Sequence, residues 1–205
     1  MKKVVFIASM LFVSVIVYSQ TENINSDLKI RFGFNLGINY SNLLAKETLP
    51  ENVIISNGFG FRLGLLMDYK ISKHFILSPK IEISFNKSNV DFVNNINLKK
   101  SYKIFPSSLD FMAHLYYITG KGKVKPYFLI GPDFKLPIER SINSSSIYKT
   151  NSDLAIDFGI GFEKQALYYI FAPELRYSFG LLNVNQNPDL KTLYFHNITL
   201  ILIFK

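Results

Sequence analysis

From residue 30 the chain alternates. Ile30, Phe32, Phe34, Leu36, Ile38 and Tyr40 are apolar, while Arg31, Gly33, Asn35, Gly37, Asn39 and Ser41 between them are polar or minimal. A period of two is the mark of a strand whose two faces meet different surroundings. The pattern returns over 57–70, where Phe59, Phe61, Leu63, Leu65, Met67 and Tyr69 oppose Gly58, Gly60, Arg62, Gly64, Leu66 and Asp68. Further strands are expected over 74–86, 102–119, 124–136, about 153–163, 167–179 and from 192 to the end. That makes eight. The fourth is the least regular: its apolar residues change parity around Pro106, Ser107 and Ser108, which predicts a bulge or kink.

The connections sort by length. Short turns are expected at 71–73, 120–122 and 164–166, and long polar loops at 43–56, 87–101, 137–151 and 181–191. Strict alternation of short and long connections is the habit of an outer-membrane barrel, with short turns in the periplasm and long loops outside. The polar face is rich in Gly, Asn, Ser and Asp, which suits the narrow interior of eight strands, where only side chains fit. Tyr40, Tyr69, Phe134 and Phe204 end apolar sets, as interfacial girdles do. The predicted fold is therefore all-β: an eight-stranded antiparallel transmembrane β-barrel of up-and-down topology, with both termini in the periplasm. A secreted lipocalin-like barrel, with the faces inverted, is the alternative.

The start of the chain fits export. Lys2 and Lys3 precede an apolar run over 4–17, and Val17, Tyr18 and Ser19 suit cleavage before Gln20. Residues 1–19 are thus expected to be a signal peptide and 20–205 the barrel domain of an outer-membrane protein in a Gram-negative cell. No later stretch is long and apolar enough for a spanning helix. The 205 residues carry a formal charge of +8, two of those charges on Lys2 and Lys3, and no cysteine. Disulfides, thiolate metal sites and cysteine catalysis are excluded. The Lys and Arg are dispersed and form no nucleic-acid module, so no nucleic-acid partner is expected. Outer-membrane lipid is.

Parity directs Arg62, Asp68, Lys80, Glu82, Asp110, Asp157, Glu174 and Arg176 into the lumen. Buried charges persist only when paired, so Arg62, Lys80, Glu82, Asp110, Asp157, Glu174 and Arg176 are expected to form a structural cluster. The sharper alternative, an ion or proton path, needs a water-filled channel that eight strands rarely leave. Some small outer-membrane barrels are enzymes with a histidine near the outer rim. Of the three histidines, His74 lies at the periplasmic end and His114 in the periplasmic half. His196 is near the outer rim, but the consecutive Leu193, Tyr194 and Phe195 leave its face undecided, and no serine or carboxylate partner can be assigned to it. The chain is read as no enzyme, with no catalytic residue, no cofactor and no metal. Gly58 and Gly60 fall in a strand, so they are small lumen residues and not a nucleotide loop.

The segment Phe32-Gly33-Phe34-Asn35-Leu36-Gly37-Ile38-Asn39-Tyr40-Ser41-Asn42 resembles the opening strand of the PorT-like outer-membrane barrels of Bacteroidota. Lys125-Pro126-Tyr127-Phe128-Leu129-Ile130-Gly131-Pro132 is similar to their central strand. Asp157-Phe158-Gly159-Ile160-Gly161-Phe162 and Pro173-Glu174-Leu175-Arg176-Tyr177-Ser178-Phe179-Gly180-Leu181 resemble their sixth and seventh. The fourth strand departs, with Ser107 and Ser108 where the family shows an apolar run after its proline. The resemblance implies an integral outer-membrane protein without catalytic residues. It also implies possible partners among secretion-machinery or envelope proteins, since the name-giving members are linked to type IX secretion and gliding. A small barrel that binds extracellular ligands through its outer loops remains the alternative.

Overall fold

The computed structural model describes residues 28–50, 52–93, 99–120, 122–138, 150–186 and 192–205. The expected signal segment and most of the expected loop 137–151 lie outside them. Among these residues nine strand segments occur: β1 (Ile30–Ala45), β2 (Val53–Lys70), β3 (Phe75–Val93), β4 (Lys99–Lys103), β5 (Ser107–Ile118), β6 (Val124–Pro137), β7 (Asp153–Gln165), β8 (Ile170–Gly180) and β9 (Leu193–Phe204). All pairings are antiparallel. β4 and β5 both pair with β3 and are the two halves of one broken strand. The wall closes through β1 and β9, from Phe34 opposite Phe204 to Ala45 opposite Leu193. The result is a closed eight-stranded antiparallel barrel.

The outward face is an apolar band. Phe32 is 69 % exposed and Phe59 71 %, with Phe34, Leu36, Ile38, Leu63, Leu65, Ile160, Leu175 and Leu200 exposed between them. An apolar surface of this extent around a whole barrel belongs in lipid, not in water. Aromatic pairs edge the band: Tyr40 on Phe59, and Phe34 and Phe171 on Phe204.

The first three strands are far longer than expected. β1 has 16 residues, β2 18 and β3 19, where about 9–11 tilted residues cross a bilayer. Two expected loops are accordingly shorter than predicted. Leu43 to Ala45 extend β1 and Val53 to Ser56 extend β2. Lys87 to Val93 extend β3, and Lys99 to Ser101 open β4. The wall rises above the membrane band on this side, and its interior changes character as it does. Leu43, Val53, Val90, Ile104, Phe105, Val184, Leu193 and Phe195 form a fully enclosed apolar cluster at the outer end. Val184 comes from the segment after β8, held by its amide to the Leu193 carbonyl (3.0 Å).

This outer cluster explains the irregular fourth strand. Its even-numbered residues face inward on both sides of the break, Ile104 above and Ser108 and Asp110 below. The apolar parity changes because the interior turns from apolar to polar, not because the strand changes sides. A true break coincides with this change: Phe105 takes a left-handed φ of 53°. That conformation disfavours a non-glycine residue by roughly 1–2 kcal/mol, and here it is offset by full burial against Phe195, ring centroids 5.0 Å apart. The ladder survives on either side, through Ile104 N–H to Ser88 O and Asn86 N–H to Pro106 O, both 2.8 Å. β2 reaches the same cluster by a register shift between Gly58 and Phe61, which turns Val53 inward. A Cβ on Gly60 would run into the Phe85 carbonyl there.

Candidate functional site

At mid-barrel the polar faces of seven strands meet. Glu82 on β3 is the hub. Its Oε2 accepts from Arg62 Nη1 (3.0 Å) and Arg176 Nη2 (2.7 Å), and its Oε1 accepts from Arg176 Nη2 (3.0 Å) and Asn35 Nδ2 (2.9 Å). Arg62 Nη2 also stands 3.7 Å from Asp110 Oδ2. Asp110 Oδ1 accepts from Ser108 Oγ at 2.6 Å. Arg176 Nη1 lies 3.7 Å from Asp157 Oδ2 and 3.0 Å from Met112 Sδ. Below the hub, Lys80 Nζ is 3.6 Å from Glu174 Oε1 and donates to the Tyr116 hydroxyl. Tyr116 and Tyr127 both donate to Glu174 Oε2, at 2.8 and 3.1 Å. The ion-paired side chains of this network are essentially inaccessible to solvent.

Local sequence makes room for these long groups. Gly64 stands opposite Glu82, Gly131 opposite Asp157, Gly159 opposite Arg176 and Gly161 opposite Glu174. A Cβ at Gly64 would come within 2.5 Å of Glu82 Cγ, and one at Gly161 within 2.5 Å of the Tyr127 ring. Alternating glycine is thus a packing device, pairing one absent side chain with one large charged one. Buried ions of this kind hold only as a paired set, since removing one partner leaves the other desolvated and alone.

The structure brings the parity-assigned residues Arg62, Lys80, Glu82, Asp110, Asp157, Glu174 and Arg176 into this one network. Asp68 stands apart at the periplasmic end, where Lys205 Nζ bridges it (2.6 Å) to Glu163 Oε1 (2.8 Å). Burial alone would lower the Lys205 ammonium, but the two carboxylates more than offset this and raise its pKa. Further ionisable residues join the interior beyond those expected in the cluster. Lys135 Nζ lies 3.3 Å from Asp133 and 4.0 Å from Asp153, and His114 Nε2 is 2.9 Å from Asp157 Oδ2. All four sit at inward positions of the alternating pattern, so parity was the signal that could have found them.

The histidines divide by face. His74 sits in the periplasmic turn with Nδ1 3.1 Å from the Ile118 carbonyl. His196 faces outward, where its Nδ1 and the Tyr177 hydroxyl are 3.0 Å apart and Phe179 packs on its ring. Odd residues of β9 face in throughout, so the run of three apolar residues that obscured its parity is Leu193 and Phe195 in the outer cluster with Tyr194 outside. His114 has Ser78 as its cross-strand neighbour and Asp157 as partner, a grouping with the outline of a hydrolytic triad. Ser78 Oγ makes no hydrogen bond to the imidazole, and both residues are wholly buried.

Residues 18–186 match the family model for the outer membrane protein beta-barrel domain. The chain belongs to this family. It is an outer-membrane β-barrel protein, and the apolar band is its lipid-facing surface. Among solved structures, Neisserial surface protein A (NspA) is similar in fold, with a TM-score of 0.54 at 12 % identity, over 86 % of this chain and 98 % of that one. OprG from Pseudomonas aeruginosa aligns with a TM-score of 0.48 at 16 % identity, over 85 % of this chain and 90 % of that one, too loosely to carry an argument. No curated protein matches the sequence.

Proposed function

We propose that this outer-membrane barrel is a non-catalytic accessory of cell-envelope assembly, working through its ends and not through its lumen. The observation that carries this reading is the filling of the lumen. An apolar cluster at the outer end, the ion-paired network at mid-barrel, and a second apolar layer of Leu66, Ile76, Tyr116, Ile118, Tyr127, Leu129, Ala172, Ile201 and Ile203 are stacked along the axis. His114 has its Asp157 partner but is wholly buried, out of reach of any substrate, and no serine hydroxyl or carboxylate hydrogen-bonds His196 among the described residues, so neither histidine is set up as a catalytic base. The PorT-like resemblance of β1, β6, β7 and β8 points the assignment towards type IX secretion.

Deletion of the gene tests it. Loss of type IX cargo from the medium, with unchanged lipid A acylation, is the expected result. Normal secretion in the deletion strain would remove the secretion role, and altered lipid A would restore an enzymatic one. Planar-bilayer recordings address the lumen separately: the filled barrel should give no steady conductance.

A further inference from the structure

The turns at the periplasmic end differ in chemistry. The β2–β3 turn sets Ser72, Lys73 and His74 after Ile71, and the β5–β6 connection leads through Lys123 to Lys125. The β7–β8 turn is Ala166, Leu167, Tyr168 and Tyr169, and no charged residue occurs between Lys164 and Glu174. It is tight, closed by the Ala166 amide donating to the Tyr169 carbonyl at 2.9 Å. Its tip projects Leu167, 87 % exposed, and Tyr168, 84 % exposed, above every large apolar residue of the lipid band. Adjacent apolar groups held out in this way mark a surface that something covers.

Continuity with the band identifies the cover. Tyr169 packs on Phe204, ring centroids 6.2 Å apart, and Phe204 packs in turn on Phe171 (5.4 Å) and Phe34 (5.2 Å), so aromatic contacts run unbroken from the turn into the lipid-facing band. β8 behind the turn has 11 residues, the length of one tilted crossing. Beyond its outer end Leu181 and Leu182 are exposed as well. Apolar surface on this side thus extends past both ends of the strand, whereas β3, across the barrel, has 19 residues and rises into a polar wall. A wall with more apolar length than the bilayer is thick tilts, or sinks its end into the interface. Leucine supplies apolar area there, and tyrosine an apolar ring whose hydroxyl suits the headgroup zone.

We propose that the β7–β8 turn is a membrane anchor, with Leu167 and Tyr168 seated in the interfacial region of the phospholipid inner leaflet and not in periplasmic water. The anchor rests on the lipid-facing band alone and is independent of the secretion role. It draws this side of the barrel deeper into the bilayer and tips the opposite wall outward, where β1 to β3 rise above the membrane.

The chain has neither tryptophan nor cysteine, so a single introduced probe reports one position. The full protein is refolded into phosphatidylcholine vesicles, and a heat-modifiability gel on each variant establishes that it is folded. Tyr168→Trp is expected to emit to the blue of Lys73→Trp and to lose about half its emission when the acyl chains are brominated near the headgroup. Lys73→Trp should be quenched only by iodide in the water. Because tryptophan itself favours the interface, Leu167→Cys gives a second reading: a charged maleimide should modify it about ten-fold more slowly than Lys73→Cys at the same end of the barrel. Emission from folded Tyr168→Trp that matches Lys73→Trp, insensitive to brominated lipid and quenched by iodide, overturns the proposal and makes the turn a docking surface for a periplasmic protein. Equal labelling at positions 167 and 73 overturns it as well.

Discussion

The same strands build two barrels of opposite polarity, one above the other. In the membrane zone β1 carries Leu36 and Ile38 outward and Asn35 and Asn39 inward; a few residues on, it carries Leu43 inward beneath Leu193 and Phe195. β3 passes from Glu82 and Ser84 inside to Val90 inside, and β5 and β4 pass from Asp110 to Ile104. The lower zone is inverted, polar within and apolar without, because its solvent is lipid. The upper zone is upright, with an apolar filling inside a largely polar wall, where Asn42 and Asn57 bond on the outer surface at 2.7 Å and Ser56 reaches Asp91 at 3.1 Å. Solvent, not strand identity, dictates which parity is apolar. The inward parity of β1, β9 and the broken fourth strand never changes.

The two zones should fail differently. The largest effect is expected at the hub: Glu82→Ala leaves Arg62 and Arg176 buried without their shared carboxylate, and breaking such a set costs about 3–5 kcal/mol. Urea unfolding in lipid vesicles measures it, and a loss under 1 kcal/mol would mean that the network is solvated and not a closed core. Phe195→Ala removes the ring beneath Phe105 and is expected to cost about 3–4 kcal/mol by the usual penalty for emptying an aromatic site. Its signature is local: amides of 53–56 and 88–92 should lose exchange protection while those of 62–68 keep theirs. Uniform loss along the strands would show one zone where two are described.

The outward faces sharpen the contrast further. Leu63→Arg puts a cation into the middle of the lipid band and should cost about 2–4 kcal/mol. The matching change in the upper zone, Ile54→Lys, replaces an equally exposed apolar residue, 52 % against 48 %, and should stay within about 0.5 kcal/mol. Equal costs at the two positions would place the bilayer boundary elsewhere on β2.

Most of the lower zone was legible in the sequence, because a lipid-facing strand must alternate, and β1 does so throughout and β2 with Leu66 as its one apolar inward residue. The inward parity of Arg62, Glu82 and Arg176 follows from that rule, and the closed antiparallel barrel from eight such strands joined by alternating short and long connections. The upper zone was not legible. Val53, Val90 and Ile104 read as loop residues or as faults in parity, since a rule written for one solvent inverts when the strand leaves it. The contacts within the network were also hidden: parity assigns Glu82 to the lumen but not to two arginines from opposite sides of the barrel.

The upright zone has a bearing on how this protein can vary. Its filling ties the tops of β1, β2, β3, β4 and β9 together before any surface loop begins, so the loops spring from a base already fixed. Lengthening a loop on such a base costs only a slowly growing closure entropy, about 0.6 kcal/mol for each doubling. The face shown to the outside can therefore be rewritten, by insertion as readily as by substitution, under pressure from whatever recognises it. The register of the wall in the bilayer need never shift.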